Sequence, residues 1–209
     1  YNPTNSYYER IDLAAAIQSI TELRSNNMGH IVELATNDIQ VPDVDFGNAV
    51  RLSSLSSKDE MTIGSTSDDS LVGGLGADEI YGGLGKDEIV GSLGLDILSG
   101  GGGADTIVLQ DFAFDDILSG GAGFDTLDLS VSTDALNLNL NNFSEIFEGS
   151  ISGFEKYILP NNATIFIGTD DATTVEASGN ASNISTGAGN DEIHASGYGQ
   201  IVSRGDGDD

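Results

Sequence analysis

The chain has 209 residues, no cysteine and a formal net charge of −27, with 34 acidic and 7 basic side chains. A polyanion of this density repels nucleic acid and anionic lipid, so the composition excludes nucleic-acid binding and favours multivalent cations as partners. The lack of cysteine excludes disulfides and thiol chemistry, and the absence of an 18-residue apolar run predicts no membrane insertion.

Residues 1–60 do not repeat, and we expect them to form a small N-terminal helical or mixed cap. The segment from Asp12 to Leu23 has apolar residues at helical spacing and an aspartate suited to the N-cap, which predicts a short helix. Three short β-like stretches follow, at residues 30–34, 39–41 and 50–52. A cap of this kind would cover the first coil of a β-helix, whose strand edges are otherwise exposed.

Between Gly64 and Asp128 the chain repeats every nine residues. Read from Gly73, the units are GGLGADEIY, GGLGKDEIV, GSLGLDILS and GGGGADTIV, with glycine at the first and fourth places and aspartate at the sixth. The first unit, 64–72, is degenerate, and the sixth, 109–119, carries a two-residue insertion. The eighth-place residues are Leu71, Ile80, Ile89, Leu98, Ile107, Leu118 and Leu127. A row this regular predicts a stacked apolar core and argues against a disordered linker.

Residues 129–167 lose the glycines but keep apolar alternation, which predicts strands that continue the stack. The alternating residues are Leu136, Leu138, Leu140, Ile158, Ile165 and Ile167. From residue 168 a second, degenerate array begins, with β-branched eighth-place residues at Val175, Ile184, Ile193 and Val202. Its sixth-place residues are Thr173, Ser182, Asp191, Gln200 and Asp209, so aspartate appears only in alternate units.

The nonapeptide resembles the RTX, or hemolysin-type, calcium-binding repeat, closely over residues 64–128 and loosely over 168–209. The resemblance implies an all-β chain folded as a right-handed parallel β-roll or β-helix, in which two nonapeptides form one full turn. We accordingly divide the chain into a cap at 1–60, a calcium-binding β-roll at 61–128, irregular coils at 129–167 and the second array. Equivalent positions on one side of the roll are then two nonapeptides apart.

The resemblance also implies a set of calcium ligands. Calcium takes about six to eight oxygen ligands, and glycine-rich turns allow backbone carbonyls to point inward. In the family, the second, fourth and sixth places of one turn coordinate an ion together with the first, third and sixth places of the turn two units on. Carried onto this chain, one set is Gly74, Gly76 and Asp78 with Gly91, Leu93 and Asp96. A second set is Gly83, Gly85 and Asp87 with Gly100, Gly102 and Asp105.

The remaining residues assigned to metal binding follow the same register. They are Asp69, Gly94, Gly101, Gly103, Asp116, Gly120, Asp125, Gly187, Gly189, Asp191, Gly205, Gly207 and Asp209. Asp69 is a weaker candidate because Ser67 stands at the fourth place of its unit, and Ser92 at a second place predicts a strained turn. In the second array we expect an ion only on the side of the aspartates, because Ser182 and Gln200 carry no charge.

The favoured function is a calcium-binding structural module of a large secreted bacterial protein, of adhesin or surface-layer type. One aliphatic residue per nonapeptide offers too little apolar burial to offset the backbone entropy of ordering the unit, so folding and the binding of several calcium ions are expected to be one event. Proteins with these repeats typically leave the cell by type I secretion, which implies an extracellular or cell-surface location. The chain does not begin with methionine, and we expect it to be part of a longer protein.

Two alternatives remain. The same repeats flank secreted proteases, lipases and epimerases, whose active site would then lie outside this chain or within residues 1–60. An HExxH or G-x-S-x-G motif in the flanking sequence would favour that class, and long tandem repeats would favour the adhesin or surface layer. Carbohydrate binding is the third interpretation, and it is weak because the chain has no tryptophan for sugar stacking.

Overall fold

The computed structural model describes residues 51–53, 59–110, 116–133, 135–141, 150–162, 164–180 and 182–207. The predicted helix and the β-like stretches at 30–34 and 39–41 lie outside these residues, as does most of the expected cap. The described part contains seventeen strands and no helix, so it offers no helix that could span a membrane.

The strands are short, with three to seven residues each. They are β1 (Arg51–Ser53), β2 (Met61–Ile63), β3 (Ser70–Gly74), β4 (Glu79–Leu84), β5 (Glu88–Ser92), β6 (Ile97–Gly103), β7 (Thr106–Leu109), β8 (Ile117–Gly123), β9 (Thr126–Asp128), β10 (Asn137–Asn139), β11 (Ser150–Ser152), β12 (Lys156–Leu159), β13 (Ile165–Ile167), β14 (Thr174–Ala177), β15 (Asn183–Ser185), β16 (Glu192–Ala195) and β17 (Ile201–Ser203).

All strand pairs are parallel, and they form three sheets. The first sheet has the order β1-β3-β5-β7-β9-β12-β14-β16, the second β2-β4-β6-β8-β11 and the third β10-β13-β15-β17. Strands β1–β9 alternate between the first and second sheets and strands β12–β17 between the first and third, with β10 and β11 at the change, and the chain winds through about seven turns. The predicted fold class, an all-β parallel β-helix, is confirmed.

The pairing register follows the nonapeptide. Ile89 pairs with Leu71 and with Ile107, each two nonapeptides away along the chain. The insertion in the sixth unit lengthens the next step, so that Ile107 pairs with Leu127 and Leu98 with Leu118. Because the two extra residues of the sixth unit come before β8 in the sequence, the eighth-place residues still pair with each other.

These eighth-place residues form the core. All seven, from Leu71 to Leu127, are at most 1% exposed. Successive side chains of a strand point to opposite faces, so each strand contributes one such residue to the interior and leaves its neighbours at the surface. Burying each is worth about 1.5–3 kcal/mol, which makes the predicted row the main apolar support of the coil.

The irregular coils between the two arrays have a different interior. The predicted strands are present as β10, β12 and β13, and the predicted Leu138 is fully buried in β10. In β12 and β13, by contrast, the inward-facing residues include the aromatic Tyr157 and Phe166, whose ring centroids lie 5.1 Å apart. Ile165 is 42% exposed on the opposite face of β13. Alternating isoleucines therefore did not mark the core here, since the larger neighbouring ring fills the coil.

In the second array the core row continues and then ends. Val175 and Ile184 are fully buried, Ile193 is partly buried, and Val202 is 40% exposed. The strands that carry the last two, β16 and β17, are the end strands of their sheets, so each is covered on one side only.

Candidate metal centre

The turns between strands stack into two rows. The first row of turns precedes strands of the first sheet and comprises residues 64–69, 82–87, 100–105 and 120–125. The second row of turns precedes strands of the second sheet and comprises residues 73–78 and 91–96, together with 109–110 and 116 of the inserted unit. Each turn ends with a sixth-place aspartate, so that the carboxylates on one side of the roll belong to consecutive coils.

The sixth-place aspartates form a hydrogen-bonded ladder along each row. In the first row, the backbone N–H of Asp69 donates to Oδ1 of Asp87 (2.8 Å), that of Asp87 to Asp105 (2.9 Å) and that of Asp105 to Asp125 (2.8 Å). In the second row, the N–H of Asp78 donates to Oδ1 of Asp96 and that of Asp96 to Oδ1 of Asp116, at 2.9 Å each. All seven residues are at most 4% exposed, so the two predicted stacks are rows of buried carboxylates.

The second oxygen of several of these carboxylates has no such partner. Within the two ladders, four buried Oδ2 atoms lack a hydrogen bond, those of Asp78, Asp87, Asp105 and Asp125. A buried, unpaired carboxylate oxygen is costly, because it has lost its hydration without gaining a compensating contact. A cation bound at this oxygen would supply that contact.

Each unpaired oxygen lies beside a carbonyl oxygen of the next coil. A Cβ placed on Gly100 would be 2.5 Å from Asp105 Oδ2 and 2.5 Å from the carbonyl oxygen of Gly120. In the second row, a Cβ on Gly73 would be 2.5 Å from Asp78 Oδ2 and 2.9 Å from the carbonyl oxygen of Gly91. Only glycine leaves this space open, and the oxygens around it are of the type that calcium prefers.

Two further pairs from the predicted ligand sets are backbone neighbours. The N–H of Gly85 donates to the carbonyl of Gly102 (2.9 Å), and the N–H of Leu93 donates to the carbonyl of Gly74 (3.2 Å). A carbonyl oxygen has two lone pairs, so these bonds leave room for a cation. The predicted sets are therefore adjacent in space. No group of three or more His, Cys, Asp or Glu residues gathers within the described ranges, so an ion here would depend on backbone carbonyls.

Two turns depart from this arrangement. In the first unit, the N–H of Ser65 donates to Asp69 Oδ2 (2.5 Å) and its Oγ to Oδ1 (3.0 Å), which satisfies that carboxylate without a metal. In the inserted unit, Leu109 replaces the first-place glycine, is fully buried and has its Cδ2 3.2 Å from the Cβ position on Gly91. The complete turn pairs are thus 82–87 with 100–105, 100–105 with 120–125, and 73–78 with 91–96.

Ser92 occupies the second place of its turn with a φ of +74°, and it alone among the described non-glycine residues has a positive φ. This conformation costs an L-residue about 1–2 kcal/mol. The strained turn predicted from a serine at the second place is therefore confirmed. We expect Ser92→Gly to stabilise the calcium-bound chain by about 0.5–1 kcal/mol, because glycine's greater unfolded-state entropy offsets part of the relief.

Urea unfolding in saturating calcium measures this effect. Ser99→Gly, at a strand position of β6 with no left-handed conformation, is the matched control and should destabilise the chain by about 0.5–1 kcal/mol. Equal destabilisation by the two substitutions would show that Ser92 carries no strain.

Burial governs the protonation of the carboxylate rows. It raises the pKa of Asp87 to about 6, and the carboxylates of Asp105 and Asp69 add to the increase, while the hydrogen bond from the Asp69 N–H opposes it. Burial likewise raises the pKa of Asp96 to about 6. The ordinary value is 3.8, so the calcium-free fold binds protons more readily than the unfolded chain.

We therefore predict that acid favours the calcium-free fold. A folded-state pKa above the unfolded value gives stability that is fully present below pH 3.8 and is lost as the pH rises through about 6. In calcium-free buffer the β signal in far-UV circular dichroism should increase as the pH falls from 7 to about 4. In saturating calcium the trend should reverse, since protons compete with the ion for the same oxygens. If the β signal changed with pH in the same direction in both buffers, protons and calcium would not be competing for the same carboxylates.

The second array differs on its two sides. On the uncharged side, Nε2 of Gln200 lies within hydrogen-bonding distance of the carbonyls of Gly179 (2.7 Å), Ser196 (2.7 Å) and Ala177 (3.1 Å). Its two N–H groups share these three acceptors, so a neutral amide occupies the space between the two turns. Sequence reasoning treated Gln200 only as a neutral residue and missed this role.

On the charged side, the ladder is present in part. The N–H of Thr173 donates to Oδ1 of Asp191 (2.9 Å), which is 6% exposed. The next turn stacks on it, with the N–H of Gly189 donating to the carbonyl of Asp206 (3.2 Å). Asp209 lies outside the described residues, so the site expected between these turns stays a prediction.

Glu155 extends the first ladder beyond the nonapeptides. The N–H of Asp125 donates to Oε2 of Glu155 (2.8 Å), as earlier sixth-place residues donate to the next aspartate. Sequence reasoning missed this residue and assigned no ligand to the first row between Asp125 and the second array. A signal was present, because Glu155 precedes the inward-facing Tyr157 by two residues, just as Asp125 precedes Leu127.

Comparison with known proteins gives one family. The RTX calcium-binding nonapeptide repeat matches four segments, at residues 63–98, 81–111, 112–142 and 167–197. Together these segments cover more than half of the 209 residues. No curated protein and no solved structure matches the chain.

Proposed function

Because the chain belongs to the RTX calcium-binding nonapeptide repeat family, we propose that it is a structural module of a secreted protein and that it folds on binding extracellular calcium. The repeat region is a calcium-binding β-roll and is not itself catalytic. The finer proposal concerns when the roll forms, which residues hold the ions and where the protein works.

The observation that carries the proposal is the pair of buried carboxylate rows. Four Oδ2 atoms of the ladders are buried without a hydrogen bond, and a chain of net charge −27 has only 7 basic side chains to offset them. Like charges on consecutive coils repel each other, and burial strengthens the repulsion by lowering the local dielectric. Without a cation these rows therefore oppose folding, and with one they hold successive coils together.

We assign the ions to the complete turn pairs. In the first row, the ion would be surrounded by Asp87 and Asp105 and by the carbonyls of Gly83, Gly85, Gly100 and Gly102. The turn that ends at Asp125 would complete a second ion in the same way, and the turns ending at Asp78 and Asp96 would hold a third. The donors are carboxylate and carbonyl oxygens, which suit a hard cation with six or more ligands rather than zinc or copper. Calcium supplies the positive charge there.

Calcium-dependent folding suits an exported module. Extracellular calcium modules bind with Kd of about 10⁻⁴–10⁻³ M, so a roll of this kind would be largely unfolded at cytosolic calcium and folded outside the cell. Family members typically leave the cell by type I secretion. An adhesin or a surface-layer protein would use such a roll as a rigid, metal-stiffened segment.

Isothermal titration calorimetry of the calcium-free chain tests the proposal. We expect several calcium ions per chain with Kd in the range above, and little heat with magnesium, which requires a tighter octahedral shell than these turns offer. The absence of saturable calcium binding would contradict the proposed function.

A further inference from the structure

We propose that Asp125 and Glu155 hold a further calcium ion, at a shortened turn that the nonapeptide pattern does not contain. The turn is Gly153–Phe154–Glu155, and it lies between the matched segments 112–142 and 167–197. This inference rests on the proposed function, because it assumes that the carboxylate rows bind calcium. It adds a ligand type and a turn length that the repeat lacks.

The backbone register places Glu155 where the next sixth-place aspartate would be. β12 pairs with β9 so that Lys156 lies opposite Thr126, which puts Glu155 opposite Asp125. The N–H groups of Glu155 (3.1 Å) and Lys156 (3.0 Å) both donate to the carbonyl of Asp125. The Glu155 side chain also belongs to the ladder, because its Oε2 accepts a hydrogen bond from the N–H of Asp125 (2.8 Å).

An unpaired buried oxygen points into this turn. Asp125 is fully buried, its Oδ1 accepts from the N–H of Asp105, and its Oδ2 has no hydrogen bond. That Oδ2 would be 2.9 Å from a Cβ on Gly120, and the carbonyl oxygen of Gly153 lies against the same point. This is the pairing of carboxylate and carbonyl oxygens found beside Gly100 in the complete turns.

A glutamate suits the shorter turn. The turns of the first row span six residues from glycine to aspartate, whereas this one spans three from Gly153 to Glu155. Because the backbone of this turn is shorter, the carboxylate needs a longer side chain to reach the ladder. Glutamate provides it, since it has one methylene more than aspartate. Phe154 fixes that path, since it is 8% exposed and packs edge-on against Tyr157 with ring centroids 6.3 Å apart.

Among the described residues, no basic side chain forms an ion pair with either carboxylate. The ion pairs within the described residues are Lys156 with Glu176 (2.7 Å) and His194 with Glu192 (3.0 Å), and neither involves Asp125 or Glu155. Two acidic residues on adjacent coils are therefore linked by the hydrogen bond from the Asp125 N–H to Glu155 Oε2, and neither has a basic partner within the described part of the chain. A divalent cation between them would remove the repulsion, and Asp125 would then contact two ions rather than end the stack.

The test counts calcium ions in full-length variants by native mass spectrometry, with circular dichroism as a check on folding. Glu155→Gln retains an oxygen that can accept from the Asp125 N–H but removes the charge. Glu176→Gln is the matched control, because it makes the same change one coil away on a side chain that pairs with Lys156. We expect Glu155→Gln to bind one calcium ion fewer than the unmodified chain and Glu176→Gln to bind the same number.

An unchanged count in folded Glu155→Gln would overturn the inference and leave the proposed function intact. If the unmodified chain bound no calcium, the proposed function itself would fail. Anomalous scattering from a calcium-grown crystal of the unmodified chain does not depend on any variant folding. A peak about 2.3–2.6 Å from Asp125 Oδ2 and from a carboxylate oxygen of Glu155 supports the site. A peak between Asp87 and Asp105, with no peak between Asp125 and Glu155, would overturn the inference.

Discussion

Asp87→Asn should destabilise the calcium-saturated chain by about 3 kcal/mol. The turn that ends at Asp87 forms a complete pair with the turn that ends at Asp105, so the Asp87 carboxylate contributes to the ion between them. An ion present at a hundredfold its Kd contributes about 2.7 kcal/mol, and losing this one site accounts for the effect. Urea unfolding in saturating calcium measures it.

The same substitution should have the opposite sign without calcium. Asparagine can still accept the hydrogen bond from the Asp69 N–H, but it removes the buried carboxylate, whose pKa is raised to about 6. Calcium-free Asp87→Asn should therefore gain β signal at pH 7. Asp128→Asn is the matched control, because Asp128 bonds to the N–H of Ser130 outside the ladder and should change little in either buffer. A loss of stability for Asp87→Asn that is equal with and without calcium would mean that its role is purely structural.

Gly103→Ala should destabilise the roll by about 2–5 kcal/mol. Gly103 adopts a φ of +152°, and a Cβ there would overlap the carbonyl oxygen of Gly85 one coil earlier. Left-handed strain costs about 1–2 kcal/mol, and forcing two coils apart adds about 1–3 kcal/mol. Because those coils also carry Asp87 and Asp105, the calcium affinity should fall together with the stability.

The neighbouring residue provides the control. A Cβ on Gly102 would meet only Cδ2 of Leu84, at 3.0 Å, and that exposed side chain can move. Gly102→Ala should therefore cost less than about 1 kcal/mol. Similar losses for the two alanine variants, measured by urea unfolding, would show that the close approach of Gly103 to Gly85 does not limit stability.

The regular part of the fold was predictable because one physical constraint repeats. Parallel coils of constant length place each eighth-place residue over the one a coil earlier, so isoleucine and leucine from Leu71 to Leu127 identified the core. The same spacing predicted which aspartates are neighbours, such as Asp87 with Asp105, and identified Ser92 as a strained replacement for glycine.

The irregular part was predictable only at its first strand, where the alternating Leu136 and Leu138 are buried, because coil length varies there. The step from Leu127 to its partner Tyr157 is much longer than the two nonapeptides of a regular coil, and no repeat tells which of the adjacent Tyr157 and Ile158 faces inward. Glu155 was missed for a related reason, since its turn has three residues where the pattern has six. Gln200 was missed because its role depends on three backbone carbonyls that meet only in the folded coil.

Far-UV circular dichroism of the chain in excess EGTA and in millimolar calcium tests the coupling of metal binding and folding most directly. We predict little β signal in EGTA, a cooperative gain of β signal on addition of calcium, and no comparable gain with magnesium. A native-like β spectrum in EGTA that calcium leaves unchanged would contradict the account, because the buried carboxylate rows would then be stable without a cation.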